Sequence, residues 1–177
     1  MSKIGIFFGT DTGSTRKIAK LIHKQLGDIA DKPLNINRVD EATLLGYDKL
    51  IFGTPTLGEG ELPGLATECE AESWAEFLDN NEEIDLSGKT VALFGLGDQV
   101  GYPDEFVDGL GELYDFVTEA QANVIGFWPN EGYEFNESTA LEDDQFVGLV
   151  IDKDNQASLS EERVTHWVEQ IKAEFEA

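Results

Sequence analysis

Three short segments rich in glycine and small polar residues carry the side chains best suited to chemistry, and each follows directly on a run of apolar residues. The first, Gly9-Thr10-Asp11-Thr12-Gly13-Ser14-Thr15, leads into a helical pattern that begins at Ile18. A turn of this kind at a helix N-terminus exposes backbone N–H groups and hydroxyls that together surround a phosphate. It contains no lysine, so it is not a Gly-Lys-Ser/Thr nucleotide loop, and it lacks the G-x-G-x-x-G spacing of a dinucleotide site. The plain alternative is a threonine-rich helix cap that binds nothing. The second segment is Thr54-Pro55-Thr56-Leu57-Gly58-Glu59-Gly60-Glu61-Leu62-Pro63-Gly64. Its glycines permit positive φ, so the Gly58–Glu59 peptide can take either of two turn conformations at low cost. The third is Gly95-Leu96-Gly97-Asp98-Gln99-Val100-Gly101-Tyr102-Pro103. An aromatic ring on a glycine-rich loop suits the covering of a flat heterocycle, although Tyr102 by itself is also an ordinary loop aromatic.

Other residues with chemical potential have blander explanations. Asp152-Lys153-Asp154-Asn155-Gln156 begins like a calcium loop, but Ala157 stands where the loop glycine belongs and Arg163 where the bidentate glutamate belongs. His23 and His166 lie in separate helical patterns without a nearby nucleophile or second ligand and are assigned to the surface. Cys69, flanked by Glu68 and Glu70, is disfavoured as a thiolate and is assigned a structural role, or dimerisation through an exposed thiol. Trp74 and Trp167 are assigned to the core.

The elements that must position the three segments alternate along the chain. Strands are expected at Ile4–Phe8, Leu34–Val39, Lys49–Gly53 and Thr90–Phe94, with a fifth opening at Val124–Phe127. Helical periodicity runs through Ile18, Leu21, Ile22 and Leu26, then Trp74, Phe77 and Leu78, then Phe106, Leu110, Leu113, Tyr114 and Val117. A last helix carries Val164, Trp167, Val168, Ile171 and Phe175, with Ser158 or Ser160 as its N-cap. This order implies an α/β fold, a parallel five-stranded sheet with helices on both faces. A polar stretch from Trp128 to about Gln145 separates the start of strand five from a second apolar run, Phe146–Ile151, so the fifth strand is interrupted by a loop.

Composition sets the outer limits. A chain of 177 residues buries one sizeable core and calls for one domain, 1–177. With 36 acidic residues against 12 basic ones, the formal charge is −24, which disfavours nucleic acid and anionic membrane as partners and favours basic proteins. The same acidity also suits a salty habitat. The N-terminal apolar run is too short for a signal peptide, no stretch is long enough to span a bilayer, and a single cysteine excludes an internal disulfide. A reducing cytoplasm is the expected location.

In combination the segments are far more specific than singly. Thr10-x-Thr12-Gly13-x-Thr15, the TPTLGEGELPG loop and the LGDQVGYPD loop, each directly after its strand, closely resemble the flavodoxins. The run FVGLVIDKDNQ and the interrupted fifth strand resemble the long-chain group, and the chain is similar throughout to flavodoxins of nitrogen-fixing and other gamma-proteobacteria. That resemblance implies a three-layer, doubly wound sheet of order 2-1-3-4-5 and a tightly but noncovalently bound FMN. It implies that Thr10, Asp11, Thr12, Gly13, Ser14 and Thr15 hold the phosphate, with Leu57 and Tyr102 against the two faces of the flavin. Many relatives carry tryptophan where this chain has Leu57, so weaker stacking is expected there. Pro55, Thr56, Gly58, Glu59, Gly60, Leu96, Gly97, Asp98 and Gln99 complete the set, and Asp154 reaches the ribityl chain.

The implied function is a low-potential one-electron carrier, not an enzyme, which shuttles between semiquinone and hydroquinone and has no catalytic residue. The implied partners are a ferredoxin/flavodoxin–NADP reductase as donor and nitrogenase reductase or radical-forming enzymes as acceptors, with the carrier a monomer. The alternative is an NAD(P)H-dependent quinone or FMN reductase of the same fold. Tyr102 would cover the face that such a donor needs, and no basic cluster awaits a dinucleotide phosphate. A phosphorylatable receiver domain would need an aspartate where this chain has Gly53-Thr54-Pro55.

Overall fold

The computed structural model describes residues 3–10 and 12–177. Its first half runs β1 (Ile4–Phe8), α1 (Ser14–Leu26), β2 (Leu34–Asn35), α2 (Glu41–Leu45), β3 (Lys49–Thr54), α3 (Trp74–Asn80) and β4 (Thr90–Leu96). Its second half runs α4 (Asp108–Glu119), β5 (Asn123–Ile125), β6 (Trp128–Pro129), β7 (Leu141–Glu142), β8 (Gln145–Phe146), β9 (Leu149–Ile151), α5 (Lys153–Gln156) and α6 (Ser160–Glu176). The main sheet is parallel in the order β2-β1-β3-β4-β5. β5 pairs with the first half of β4, Thr90–Ala92, and β9 pairs with the second half, Phe94–Leu96. The two pieces together form the interrupted fifth strand.

β1 is buried at every position, as a central strand covered on both faces must be. Along β4 the side chains alternate between the two helical layers: a Cβ at Gly95 would meet Leu110 of α4, whereas Phe94 lies edge-on to Trp167 of α6. α1 and α6 pack together on that second face. Trp74 and Trp167 are fully buried, and each indole N–H donates to a backbone carbonyl, of Gly53 and Gly126 respectively. The polar tip of each ring is thereby satisfied inside the core.

Four expectations change in detail. β2 is two residues long, because the Asn35 side chain accepts the Asn37 N–H and turns the chain into a single 3-10 turn at Ile36–Arg38. α2 supplies a short helix between β2 and β3, opened by Asp40, whose carboxylate accepts the Thr43 N–H at 2.8 Å. Neither Ser158 nor Ser160 caps α6: α5 and a 3-10 turn at Ala157–Leu159 feed the chain in already helical, and Ser160 is the first residue of α6. Cys69 is buried, which removes dimerisation through an exposed thiol.

The segment between the two halves of the fifth strand is a structured element. It forms a three-stranded antiparallel sheet in the order β6-β8-β7, with Trp128 opposite Phe146 and Leu141 opposite the same residue from the other side. Phe106, Tyr133, Phe135 and Phe146 form one aromatic cluster beneath it. The Tyr133 hydroxyl donates to Val150 O and accepts from Trp128 Nε1, and burial pushes its pKa up to about 12.

Candidate functional site

The loop after β1 begins fixed to its neighbour strand, since the Gly9 N–H donates to Gly53 O at 2.9 Å. Gly13 caps α1 in the left-handed region at φ +94, with open space where a Cβ would stand, so the constraint there is torsional. Thr10 Oγ1 accepts the Gly13 N–H at 2.9 Å, while the Thr12 and Ser14 hydroxyls lie 3.4 Å apart. Thr15 is 1% exposed, and its Oγ1 has no hydrogen-bond partner among the described residues. A buried hydroxyl left unpaired costs about 1–3 kcal/mol, which a hydrogen-bond partner reaching it recovers. Asp11 lies outside the described residues.

The loop after β3 is a tight hairpin. The Leu57 N–H donates to Glu61 O at 2.9 Å, and the Gly60 and Glu61 N–H groups both donate to Leu57 O, at 3.1 and 2.7 Å. Gly58 has φ +54 and Gly60 φ +97, values that the hairpin needs and most side chains resist. Gly58 and Glu59 are exposed at its tip. Thr56 Oγ1 accepts the Gly109 N–H from α4 at 3.0 Å, which ties the hairpin to the helix behind it.

Asp98 builds the loop after β4. Its Oδ1 accepts the Val100 N–H at 3.1 Å, the Gly101 N–H at 2.8 Å and Asn155 Nδ2 at 2.8 Å, and the Tyr102 N–H donates to Asp98 O. The Gly101 N–H first, then Asn155, hold this carboxyl below the ordinary aspartate range against the opposing effect of burial. Tyr102 is left 53% exposed. Gln99 is buried and makes its bonds elsewhere: Nε2 donates to Asp152 Oδ2 at 2.7 Å, and Oε1 accepts the Glu134 N–H at 2.6 Å.

The three loops border one open cleft with a cavity volume of about 170 Å³. Thr12 and Ser14 line one end, Pro55, Thr56, Leu57, Gly58 and Gly60 one wall, and Leu96, Gly97, Asp98, Tyr102 and Asp154 the rest. Of the other expected residues, Thr10, Gly13, Thr15, Glu59 and Gln99 belong to the same loops without lining the cleft. Glu105, Val107 and Lys153 line it and were not expected. Lys153 adjoins Asp154 in sequence and was within reach of the motif. Val107 gave no signal: it is a buried β-branched residue held at φ +49 at the entry to α4, a conformation imposed by tertiary packing.

Comparisons with known proteins agree with this geometry. The flavodoxin family model matches residues 6–167. A flavodoxin of Klebsiella pneumoniae is 60% identical over 172 residues, covering 97% of this chain and 98% of that protein. Flavodoxin 1 of Salmonella typhimurium is 47% identical, covering 99% and 96%. Among solved structures, the crystal structure of Fusobacterium nucleatum flavodoxin bound to flavin mononucleotide superposes with a TM-score of 0.88 at 34% identity, covering 98% of this chain and 99% of that one.

Proposed function

The chain belongs to the flavodoxin family, and from that premise we propose that the cleft between its three loops is the flavin site and that residues 1–177 act as one domain. The protein is an FMN-based electron carrier, not an enzyme. Bound FMN supplies a ring system that accepts and releases electrons one at a time. The observation that carries the assignment is Thr15 Oγ1, a buried hydroxyl without a partner among the described residues, set in the first turn of a helix whose N-terminus opens on the cleft. A phosphate there meets an unsatisfied hydroxyl and the positive end of the α1 dipole together.

The remaining roles follow from what each loop offers. Thr10, Asp11, Thr12, Gly13, Ser14 and Thr15 form the phosphate loop. Leu57 and Tyr102 flank the ring, Pro55, Thr56, Gly58, Glu59, Gly60, Leu96, Gly97 and Asp98 shape and bind its edge, and Gln99 supports that wall from behind. Asp154 serves the ribityl chain. Glu105, Val107 and Lys153 join the set as lining residues. Gly58, exposed and in the left-handed region, leaves its peptide carbonyl free to turn toward the cleft and accept a hydrogen bond there.

The protein works as a monomer in the cytoplasm at low potential. Its donor is a ferredoxin/flavodoxin–NADP reductase, and its acceptors are nitrogenase reductase or radical-forming enzymes. A formal charge of −24 supports basic docking partners and opposes the second electron. Among the described residues, no helix is long and apolar enough to cross a membrane. The test is reconstitution of apoprotein with FMN, followed by addition of NADPH with and without such a reductase. The expected result is a flavin that stays oxidised in NADPH alone and is reduced once the reductase is present. Direct reduction by NADPH would contradict the carrier role, and failure to take up FMN would contradict the site.

A further inference from the structure

The one buried carboxylate among the described residues lies outside the three loops. Asp152, 0% exposed, follows the last residue of β9, at the point where the β4–β9 pairing ends in a bond from the Gly97 N–H to Ile151 O. Its Oδ2 accepts the Gln99 N–H at 3.1 Å, Gln99 Nε2 at 2.7 Å and Asn155 Nδ2 at 2.9 Å. Its Oδ1 accepts the Asp154 N–H at 3.1 Å, the Asn155 N–H at 3.0 Å and Asn155 Nδ2 at 3.2 Å. Every bond this side chain makes is one it accepts, and no described lysine, arginine or histidine forms an ion pair with it.

A buried carboxyl whose oxygens are satisfied only by N–H donors ties those donors firmly in place, because releasing them leaves its oxygens unpaired. Here the donors come from two segments that both border the cleft: the loop after β4 through Gln99, and α5 through Asp154 and Asn155. Gln99 then passes the constraint on, accepting the Glu134 N–H of the inserted segment. Asn155 passes it to Asp98 Oδ1, the atom that also gathers the Val100 and Gly101 N–H groups.

We propose that Asp152 is a positioning residue that holds the Gly97–Tyr102 loop in its ring-binding shape before any cofactor arrives, so that the flavin enters a wall already built. The proposal rests on reading the cleft as the flavin site. Preorganisation of this kind raises affinity by removing the cost of ordering the loop on binding. Asp152→Asn keeps the size of the side chain but turns an NH₂ group on donors that need an acceptor.

The experiment titrates apoprotein with FMN, with riboflavin and with inorganic phosphate. In Asp152→Asn, riboflavin and FMN should weaken together, by roughly 10- to 100-fold, while inorganic phosphate binds as in the unaltered protein. Gln99→Met, which keeps bulk but cuts the link between Asp152 and Glu134, should weaken riboflavin in the same direction, and Asp152→Asn should have a smaller effect in that background. Unchanged riboflavin affinity in Asp152→Asn, or phosphate affinity falling in step with it, overturns the proposal. Should Asp152→Asn fail to fold, Gln99→Met decides, and unchanged riboflavin affinity there overturns the proposal equally. An unaltered protein that binds phosphate but no flavin overturns the site assignment itself.

Discussion

Under the proposed site, Thr15 and Gly58 are the two residues whose cofactor roles come at some expense to the chain. The Thr15 hydroxyl is buried and unpartnered among the described residues, a cost that the proposed phosphate contact would remove. Thr15→Val deletes that hydroxyl at nearly constant volume. Apoprotein stability in urea should rise by about 1 kcal/mol, while FMN affinity falls about tenfold and riboflavin affinity stays the same. A parallel loss for riboflavin would place the hydroxyl's partner elsewhere. Gly58 holds φ +54, and a Cβ there would stand 2.8 Å from Glu61 Oε1. In Gly58→Val the left-handed turn costs about 1–2 kcal/mol, and the peptide loses its freedom to turn toward the cleft. Oxidised FMN should still bind, with the first one-electron midpoint lowered by about 40–90 mV in a potentiometric titration.

The elements show where sequence patterns suffice and where they stop. β1, β3 and β4 are near-continuous apolar runs, and their burial on both faces made them legible, along with the three loops that follow them. β2 was overextended because alternation from Leu34 to Val39 hid the local bond from Asn37 to Asn35 that ends the strand. The inserted segment was legible only as an interruption. Its attachment to the cleft depends on contacts between distant residues: the Asn136 and Glu137 N–H groups donate to Pro103 O, the Phe106 N–H to Glu137 O, and the Thr139 N–H to Asp108 Oδ1. Asp152 meets Gln99 across 53 residues, a separation that no motif spans. The insertion thus braces the segment that follows β4 as well as the fifth strand.

α4 carries a strain of its own. Burial first, then the nearby charges of Glu61, Asp108 and Asp115, push the Glu112 carboxyl above the ordinary glutamate range. A raised acid favours the protonated form in the folded state, so its contribution is fully present below the ordinary value and is lost as pH rises through the raised one. At pH 7 the ionised side chain is therefore a cost. Glu112→Gln should raise Tm at pH 7 by about 1–3 °C, and the gain should vanish by about pH 4. A gain that persists at acid pH would contradict the charge argument.

Across the whole molecule, charge is unevenly divided. Residues 1–38 hold seven of the 12 basic residues but only three of the 36 acidic ones. The remainder of the chain carries nearly all the negative charge, including Glu59, Asp98, Glu105 and Asp154 on the loops around the cleft. Among the described residues the ion pairs are Lys3–Asp31 and Lys89–Asp48, both at the far end of the sheet, so little of the acidity near the cleft is neutralised within the chain. Such a field attracts positively charged surfaces toward the cleft side and opposes the addition of negative charge there. Each unit charge at about 10 Å in high dielectric contributes on the order of 0.4 kcal/mol, or roughly 20 mV, before screening by salt.

The most direct test of the carrier assignment is an anaerobic redox titration of the FMN-loaded protein, followed by visible absorption. The structure and charge predict two separated one-electron midpoints, the second displaced well below that of free FMN. A single two-electron step at the potential of free FMN would contradict the account.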